Sequence, residues 1–96
     1  MLVVITYDVN TETAAGKRRL YKVAKQCKNY GQRVQYSVFE CVIDPILFKQ
    51  LKIKLEKIID VKTDSIRYYN LGDEWKTRVE HIGAKPGYDI ESPLIL

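Results

Sequence analysis

The sequence has few of the residues that most often carry enzyme chemistry. Among its 96 residues there is one histidine, His81, which excludes a mechanism that needs two imidazoles within one chain. Two cysteines, Cys27 and Cys41, lie in apolar patterns without CxxC or Cys/His ligand spacing. We therefore expect two buried, reduced thiols rather than a disulfide or a zinc site.

Long hydrophobic runs are also missing. The apolar N-terminal stretch ends at Asp8, and no later run approaches the roughly 20 residues of a membrane span. The sequence predicts neither a signal peptide nor a transmembrane helix, and it indicates a cytoplasmic protein without a membrane partner. Its length suits one domain with a single core.

Acidic residues are absent from one long segment. Residues 13–39 contain seven basic residues and no acidic one, although the net charge of the chain is only +4. The seven are Lys17, Arg18, Arg19, Lys22, Lys25, Lys28 and Arg33. Solvated helices usually mix charges to gain i,i+4 pairs, so this composition favours a polyanionic partner, most often nucleic acid. The alternative is a solvated helix that is merely basic.

Residue patterns predict an alternation of strands and helices. Residues 2–7 predict a strand, and the helix after it begins among the N-cap candidates of residues 10–13 and ends at Gly31. Residues 33–43 are either one long bent strand or two short ones. A second helix begins at Asp44 and Pro45, which suit the N-cap and the first turn.

Apolar spacing defines the predicted inner face of each helix. The first helix presents Leu20, Val23, Ala24, Cys27 and Tyr30. The second presents Leu47, Leu51, Leu55 and Ile58, with Phe48 and Ile59 beside them. Residues 65–71 then predict another strand, and residues 75–83 predict a weaker one.

This order, β-α-β(β)-α-β, predicts a ferredoxin-like α+β fold in which two helices cover one face of an antiparallel sheet. Residues 1–96 form one domain, with residues 79–96 as a C-terminal edge-strand extension. The first strand and residues 33–43 are apolar on both faces, so the helix-free face also needs a cover. We expect a homodimer packed sheet to sheet. The apolar tail of Leu94, Ile95 and Leu96 packs on its own subunit or on the partner.

Asp8 ends an apolar strand, where a carboxylate is out of place. It either begins the following turn or holds a charge at the edge of the sheet. In a two-fold dimer, two Asp8 side chains near the axis could share one Mg²⁺ or Mn²⁺, since such cations take oxygen ligands. The ion would lower the pKa of a bound water and favour phosphodiester hydrolysis.

Five segments of the chain resemble the Cas-two family, the smaller of the two CRISPR spacer-acquisition proteins. They are TYDV, GKRRLYKVAK, YGQRVQYSVFEC, DSIRYYNLG and GAKPGYDIESPLIL, and the last looks most like the type I-C branch. The resemblance implies a ferredoxin-like homodimer and a metal-dependent endonuclease acting on RNA or double-stranded DNA. It also implies an adaptation complex in which the dimer binds DNA and bridges copies of the larger integrase. Nuclease chemistry is not required there, so a non-catalytic scaffold is the second hypothesis.

The resemblance also implies roles for single residues. Asp8 falls on the metal-site aspartate and Tyr7 on its catalytic neighbour. The residues implied to bind nucleic acid are Lys17, Arg18, Arg19, Lys22 and Arg33. Ser37 and Phe39 fall in the SVFE block as supporting residues. Without a neighbouring histidine, Ser37 suits a hydrogen-bonding strand residue better than a nucleophile. Tyr7 and Phe39 suit core or interface aromatics, or base-stacking surfaces, and Arg33 either binds a phosphate or braces Glu40.

Overall fold

A computed structural model describes residues 1–83 as one antiparallel sheet with two helices. The elements are β1 Leu2–Asp8, α1 Ala14–Tyr30, β2 Gln32–Gln35, β3 Val38–Val42, α2 Pro45–Ile58 and β4 Ser65–Asn70, followed by a 3-10 turn at Trp75–Thr77. The strand order is β2-β3-β1-β4, with every neighbouring pair antiparallel. This is the predicted ferredoxin-like α+β fold, and β1 lies in the interior of its sheet.

The core lies between the two helices and one face of the sheet. The strands contribute Val3, Ile5, Tyr7, Phe39 and Cys41, and the helices contribute Val23, Cys27, Leu51 and Leu55. Both cysteines are free and buried, as predicted. Burial raises the pKa of each thiol to about 12, so both stay protonated at neutral pH. Among residues 1–83, neither helix is long and apolar enough to cross a membrane.

Both helices begin at residues that the sequence predicted. The Oγ1 atom of Thr13 accepts a hydrogen bond of 3.0 Å from the backbone N–H of Gly16, which caps α1. The Oδ1 atom of Asp44 accepts one of 2.8 Å from the N–H of Leu47, and Pro45 occupies the first turn of α2. The chain therefore enters each helix at a position fixed by a local side-chain contact.

The buried face of α2 differs at one position from the predicted face. Leu51 and Leu55 are fully buried, but Leu47 is 40% exposed. Phe48 packs inward instead, and its ring meets the Tyr68 ring edge-on at a centroid distance of 5.5 Å. The edge-on contact between Phe48 and Tyr68 therefore occupies the place that the sequence assigned to Leu47.

Residues 33–43 lie mostly in two strands rather than in one. A tight turn at Tyr36 and Ser37 joins β2 to β3, and the register shifts between Arg33 and Gln35. The predicted weak strand at residues 75–83 is wrong, because this polar segment begins with the 3-10 turn and then forms no strand. The predicted tail contact and most of the extension at residues 79–96 lie outside the described residues.

Gly31 ends α1, but not as the left-handed C′ glycine that a helix end of this kind predicts. Its φ of −161° is extended, and its N–H donates to the Cys27 carbonyl at 2.9 Å. A Cβ at this position would collide with the Cys41 thiol and the Glu40 carbonyl oxygen. The glycine therefore lets the end of α1 approach β3 closely, and no left-handed backbone is involved.

The helix-free face of the sheet carries a mixture of apolar and charged side chains. From β1, β3 and β4 they are Leu2, which is fully buried, and Val4, Thr6, Asp8, Val38, Glu40, Val42, Ser65, Arg67 and Tyr69. Val42 is 43% exposed and Tyr69 is 45% exposed, while Val4 and Val38 are half-buried. The exposed apolar side chains of this face lie on β3 and β4, and their burial in an assembly remains the expectation drawn from the sequence.

Replacement of Gly16 by alanine should destabilise the fold. In an ordinary helix this change stabilises by roughly 1 kcal/mol. Here the new Cβ would overlap the carbonyl oxygen of Asn10, so we expect a loss of about 2 kcal/mol in the free energy of unfolding, measured in urea. Gln50→Ala on the exposed side of α2 is the control and should change little. A Gly16→Ala protein as stable as the wild type would contradict this packing.

Candidate functional site

Asp8 is the last residue of β1, and it lies on the helix-free face of the sheet. Because Ile5 and Tyr7 belong to the core, alternation along the strand directs Thr6 and Asp8 to the opposite side. Asp8 is in register with Ser65 of β4. Its side chain is exposed, and neither of the ion pairs found within residues 1–83 includes it.

The turn after β1 is held by Asn10 rather than by Asp8. The Oδ1 atom of Asn10 accepts a hydrogen bond of 2.9 Å from the backbone N–H of Glu12, the contact typical of an Asx turn. None of the side-chain hydrogen bonds found among residues 1–83 serves Asp8 in this way. Asp8 therefore lacks the side-chain hydrogen bond that is expected of a residue that begins a turn. This leaves the other explanation, a charge held at the edge of the sheet.

Tyr7 lies on the other face and ties the β2–β3 turn to β1. Its hydroxyl donates to the Tyr36 carbonyl at 3.4 Å, and its backbone N–H donates to the Ser37 carbonyl at 3.2 Å. Its ring stacks on Phe39 with centroids 6.2 Å apart. Burial raises the pKa of Tyr7 more than its hydrogen bond with Arg33 lowers it. The phenol therefore stays protonated at neutral pH, which suits a positioning residue better than a base.

Arg33, Ser37 and Phe39 lie around the same end of β1. Arg33 is exposed, and its guanidinium carbon lies 5.1 Å from the centre of the Phe39 ring. Because Arg33 is in register with Phe39, it lies on the helix side of the sheet, whereas Glu40 lies on the helix-free side. The predicted contact in which Arg33 braces Glu40 does not fit this register. Ser37 belongs to the turn and not to a strand, which corrects the predicted strand position.

Three of the predicted nucleic-acid-binding residues share one surface of α1. Lys17, Arg18 and Lys22 are exposed and line a groove of about 650 Å³. The remaining lining residues are Tyr21, Lys25, Gln26 and Ile58. Among residues 1–83 no acidic side chain lines this groove, so these residues give it a positive potential that suits phosphate groups.

Arg19 is separated from that surface by an ion pair that the sequence did not reveal. Its Nε atom donates to Oδ2 of Asp64 at 2.8 Å. The Asp64 side chain is fully buried and also accepts hydrogen bonds from the N–H of Asn10 at 3.0 Å and of Asp60 at 2.9 Å, and from the Thr63 hydroxyl at 3.1 Å. No sequence pattern distinguishes Asp64 from the other acidic residues beyond α2.

The Asp64 carboxylate joins the β1–α1 loop, α1 and the turn before β4. Burial alone would raise the pKa of Asp64, but hydrogen bonds from Arg19, the two backbone N–H groups and Thr63 outweigh it and hold that pKa well below its ordinary value. Asp64 directly precedes Ser65, the register partner of Asp8. The network therefore fixes both chain segments that flank the exposed Asp8 carboxylate.

The donor atoms near Asp8 fit part of a magnesium site. Among residues 1–83 no three His, Cys, Asp or Glu side chains come together. Asp8 offers one carboxylate, and Ser65 across the strand pair offers a hydroxyl. Because Mg²⁺ is commonly held by one or two carboxylates with waters and substrate phosphates, two copies of Asp8 would match its preferences better than one.

The chain matches known proteins over most of its length. The family described as CRISPR associated protein Cas2 matches residues 1–79. The chain is 59% identical over 95 residues to the CRISPR-associated endonuclease Cas2 of Halalkalibacterium halodurans, covering 99% of each chain. It is also 59% identical over 96 residues to the CRISPR-associated endoribonuclease Cas2 of Chlorobaculum tepidum, covering 100% of each. The chain therefore belongs to the Cas2 family, which confirms the predicted resemblance.

Solved structures agree with this assignment. The crystal structure of Streptococcus pyogenes Cas2 at pH 6.5 is 60% identical and superimposes with a TM-score of 0.75, covering 86% of this chain and 100% of that one. A chain in a partial Cas6-RT-Cas1–Cas2 complex is 27% identical with a TM-score of 0.67, covering 99% of this chain and 98% of that one. The ferredoxin-like fold described above is thus shared with Cas2 structures.

Replacement of Asp64 by asparagine should destabilise the protein in a pH-dependent way. The change leaves Arg19 without its counter-ion, and we expect a loss of about 3 kcal/mol in the free energy of unfolding at pH 7. Because the folded state lowers the pKa of Asp64, its contribution is complete above the unfolded value of about 4 and disappears as the pH falls towards the folded value.

The measurement is urea unfolding of both proteins from pH 7 down to pH 2. The gap between wild type and Asp64→Asn should narrow below about pH 4. Glu12→Gln, which removes an exposed carboxylate near the same loop, is the control and should track the wild type. A gap that stays constant across this range would mean that the charge of Asp64 does not stabilise the fold.

Proposed function

We propose that this protein is a homodimeric, Mg²⁺-dependent nuclease of CRISPR adaptation that hydrolyses phosphodiester bonds in double-stranded DNA or single-stranded RNA. The observation that carries the proposal is the exposed Asp8 carboxylate at the end of β1, on the helix-free face and without a turn contact of its own. The two relatives compared above are named as an endonuclease and an endoribonuclease, so both kinds of substrate belong in the proposal.

Dimerisation through the helix-free face supports this proposal physically. The apolar side chains Val4, Val38, Val42 and Tyr69 lie on this face, beside the charged residues Glu40 and Arg67. A second copy removes Val42 and Tyr69 from water and closes with two-fold symmetry. If the axis passes close to the C-terminal end of β1, each chain contributes one Asp8 to a common site.

The residues of each chain have separate tasks in this proposal. The two Asp8 carboxylates hold the cation, and Mg²⁺, or Mn²⁺ in its place, supplies charge neutralisation and water activation at the phosphate when bound. Tyr7 stays protonated and positions the turn beside Asp8 through the Tyr36 and Ser37 carbonyls. Arg33 is exposed on the helix side of the sheet, so it would bind a substrate phosphate other than the one at the cation.

A non-catalytic scaffold is the alternative function. It is favoured by the basic groove of α1 and by the finding that residues 1–83 bring no three potential metal ligands together. In this role Lys17, Arg18 and Lys22 bind the phosphates of duplex DNA while the dimer bridges copies of the larger integrase. The similar chain in the complex named for Cas1 and Cas2 supports an integrase partner for this protein.

Charge introduced on the helix-free face should separate the dimer. We expect wild-type protein to sediment as a dimer at micromolar concentration and Val42→Asp to sediment as a monomer with unchanged circular dichroism, because a buried unpaired carboxylate opposes association. Ile53→Asp is the matched control, since Ile53 is 45% exposed on α2, and it should remain dimeric. A monomeric wild type, or a dimeric Val42→Asp, would contradict an interface on this face.

Replacement of Asp8 by asparagine should remove cleavage and leave folding intact. We expect the cleavage rate to fall by about 100-fold or more, because the amide cannot offset the charge of Mg²⁺. Labelled RNA and duplex DNA are incubated with each protein and Mg²⁺, Mn²⁺ or EDTA, and binding and thermal unfolding are measured in parallel. Asp73→Asn is the control, because it removes an exposed carboxylate near the opposite end of β1.

Cutting that persists in Asp8→Asn would place the chemistry elsewhere. Wild-type protein that binds DNA but does not cut with any metal would favour the scaffold function. Loss of folding in Asp8→Asn would contradict the inference that the turn after β1 is held by Asn10 and Asp64 without the Asp8 side chain.

A further inference from the structure

The groove on α1 contains more than positive charge. Its lining residues form two parallel rows along the helix, with Lys17, Tyr21 and Lys25 in one row and Arg18, Lys22 and Gln26 in the next. Ile58, at the end of α2, adds an apolar contact at the side of the groove. Tyr21 is therefore surrounded by cations along its own row and the neighbouring one.

Tyr21 is an exposed aromatic residue in this setting. Its side chain is 67% exposed, and none of the ring contacts or hydrogen bonds found within residues 1–83 involves it. Phosphate binding alone needs only the flanking cations. Proteins that bind single strands combine a basic groove with aromatic rings on which unpaired bases stack. In a duplex the bases are already stacked and paired, so a ring on a convex helix surface cannot reach their faces.

Gln26 provides a second, independent observation in the same groove. Its Oε1 atom is buried and has no hydrogen-bond donor among residues 1–83. A buried acceptor without a donor is unfavourable, and an amino group on a bound base would satisfy it once the Gln26 side chain turns towards the groove that it lines. A bound base would stack on Tyr21, contact Ile58 and supply a donor to Gln26. A phosphate would do none of these.

We propose that the α1 groove is a binding site for a single-stranded nucleic acid segment, with one base stacked on Tyr21 and the neighbouring phosphates bound by the flanking cations. Lys17 and Lys25 are eight residues apart, which is about 12 Å along the helix, so they lie on either side of the stacked base. The inference rests on the proposed nucleic-acid function and refines it, because it assigns unpaired nucleotides to a surface distinct from Asp8.

The test compares how single strands and duplexes bind to the intact protein over a range of salt concentrations. Fluorescein-labelled single-stranded DNA, single-stranded RNA and duplex DNA are titrated with wild type, Tyr21→Ala and Tyr21→Phe. We expect Tyr21→Ala to weaken binding of a single strand by about 10-fold at every salt concentration, because stacking does not release counterions. Binding of the duplex should not change, and Tyr21→Phe should bind like wild type.

Two further variants separate stacking from charge. Lys22→Ala should reduce the salt dependence of binding for all three probes, since it removes a phosphate contact. Ile46→Ala removes part of a side chain that is 71% exposed outside the groove and should leave single-strand binding unchanged. A Tyr21→Ala effect with DNA, with RNA or with both supports the proposal and identifies the sugar that the groove accepts.

The outcomes distinguish this inference from the proposed function. If Tyr21→Ala binds single strands as wild type does, or weakens the duplex equally, the stacking site is overturned while nucleic-acid binding stands. If wild-type protein binds none of the three probes at low salt, both this inference and the proposed nucleic-acid function are overturned.

Discussion

The buried Asp64 carboxylate is the contact on which the candidate functional end of the molecule depends. It takes hydrogen bonds from three chain segments that would otherwise meet only through loops, and one of them, through Arg19, is the helix with the basic groove. The cost of burying this charge is offset by its four donors, so the arrangement is stable only when all of them are in place. Through these hydrogen bonds one side chain links α1, which carries the basic groove, to the chain segments on either side of Asp8.

Alternation along β1 puts the adjacent residues Tyr7 and Asp8 on opposite faces of the sheet. Tyr7 faces the helices, where burial keeps it protonated, and it anchors the turn between β2 and β3. Asp8 faces the opposite side and stays exposed. Because side chains alternate along a strand, the anchored Tyr7 lies directly behind the exposed Asp8 carboxylate. Successive residues of a helix would not be arranged in this way.

Much of this structure could be predicted from the sequence because it depends on local patterns. The helix caps Thr13 and Asp44, the buried thiols and the order of the elements all follow from spacing and residue type. Contacts between distant segments could not be predicted in this way. The turn between β2 and β3 accepts a hydrogen bond from the Tyr7 hydroxyl. Arg19 is held apart from its basic neighbours by its ion pair with Asp64, which is 45 residues away. A sequence pattern contains no information on such pairs until the fold has brought them together.

The use of Asn10 for the turn after β1 has an evolutionary consequence. The side chain of the neighbouring Asp8 makes none of the hydrogen bonds or ion pairs found within residues 1–83. Selection for folding therefore does not preserve this carboxylate. A lineage can therefore lose the carboxylate by a single substitution while it keeps the sheet, the groove and any assembly that depends on them. On the role proposed here for Asp8, one substitution that is neutral for folding would convert a catalytic member of the family into a purely architectural one.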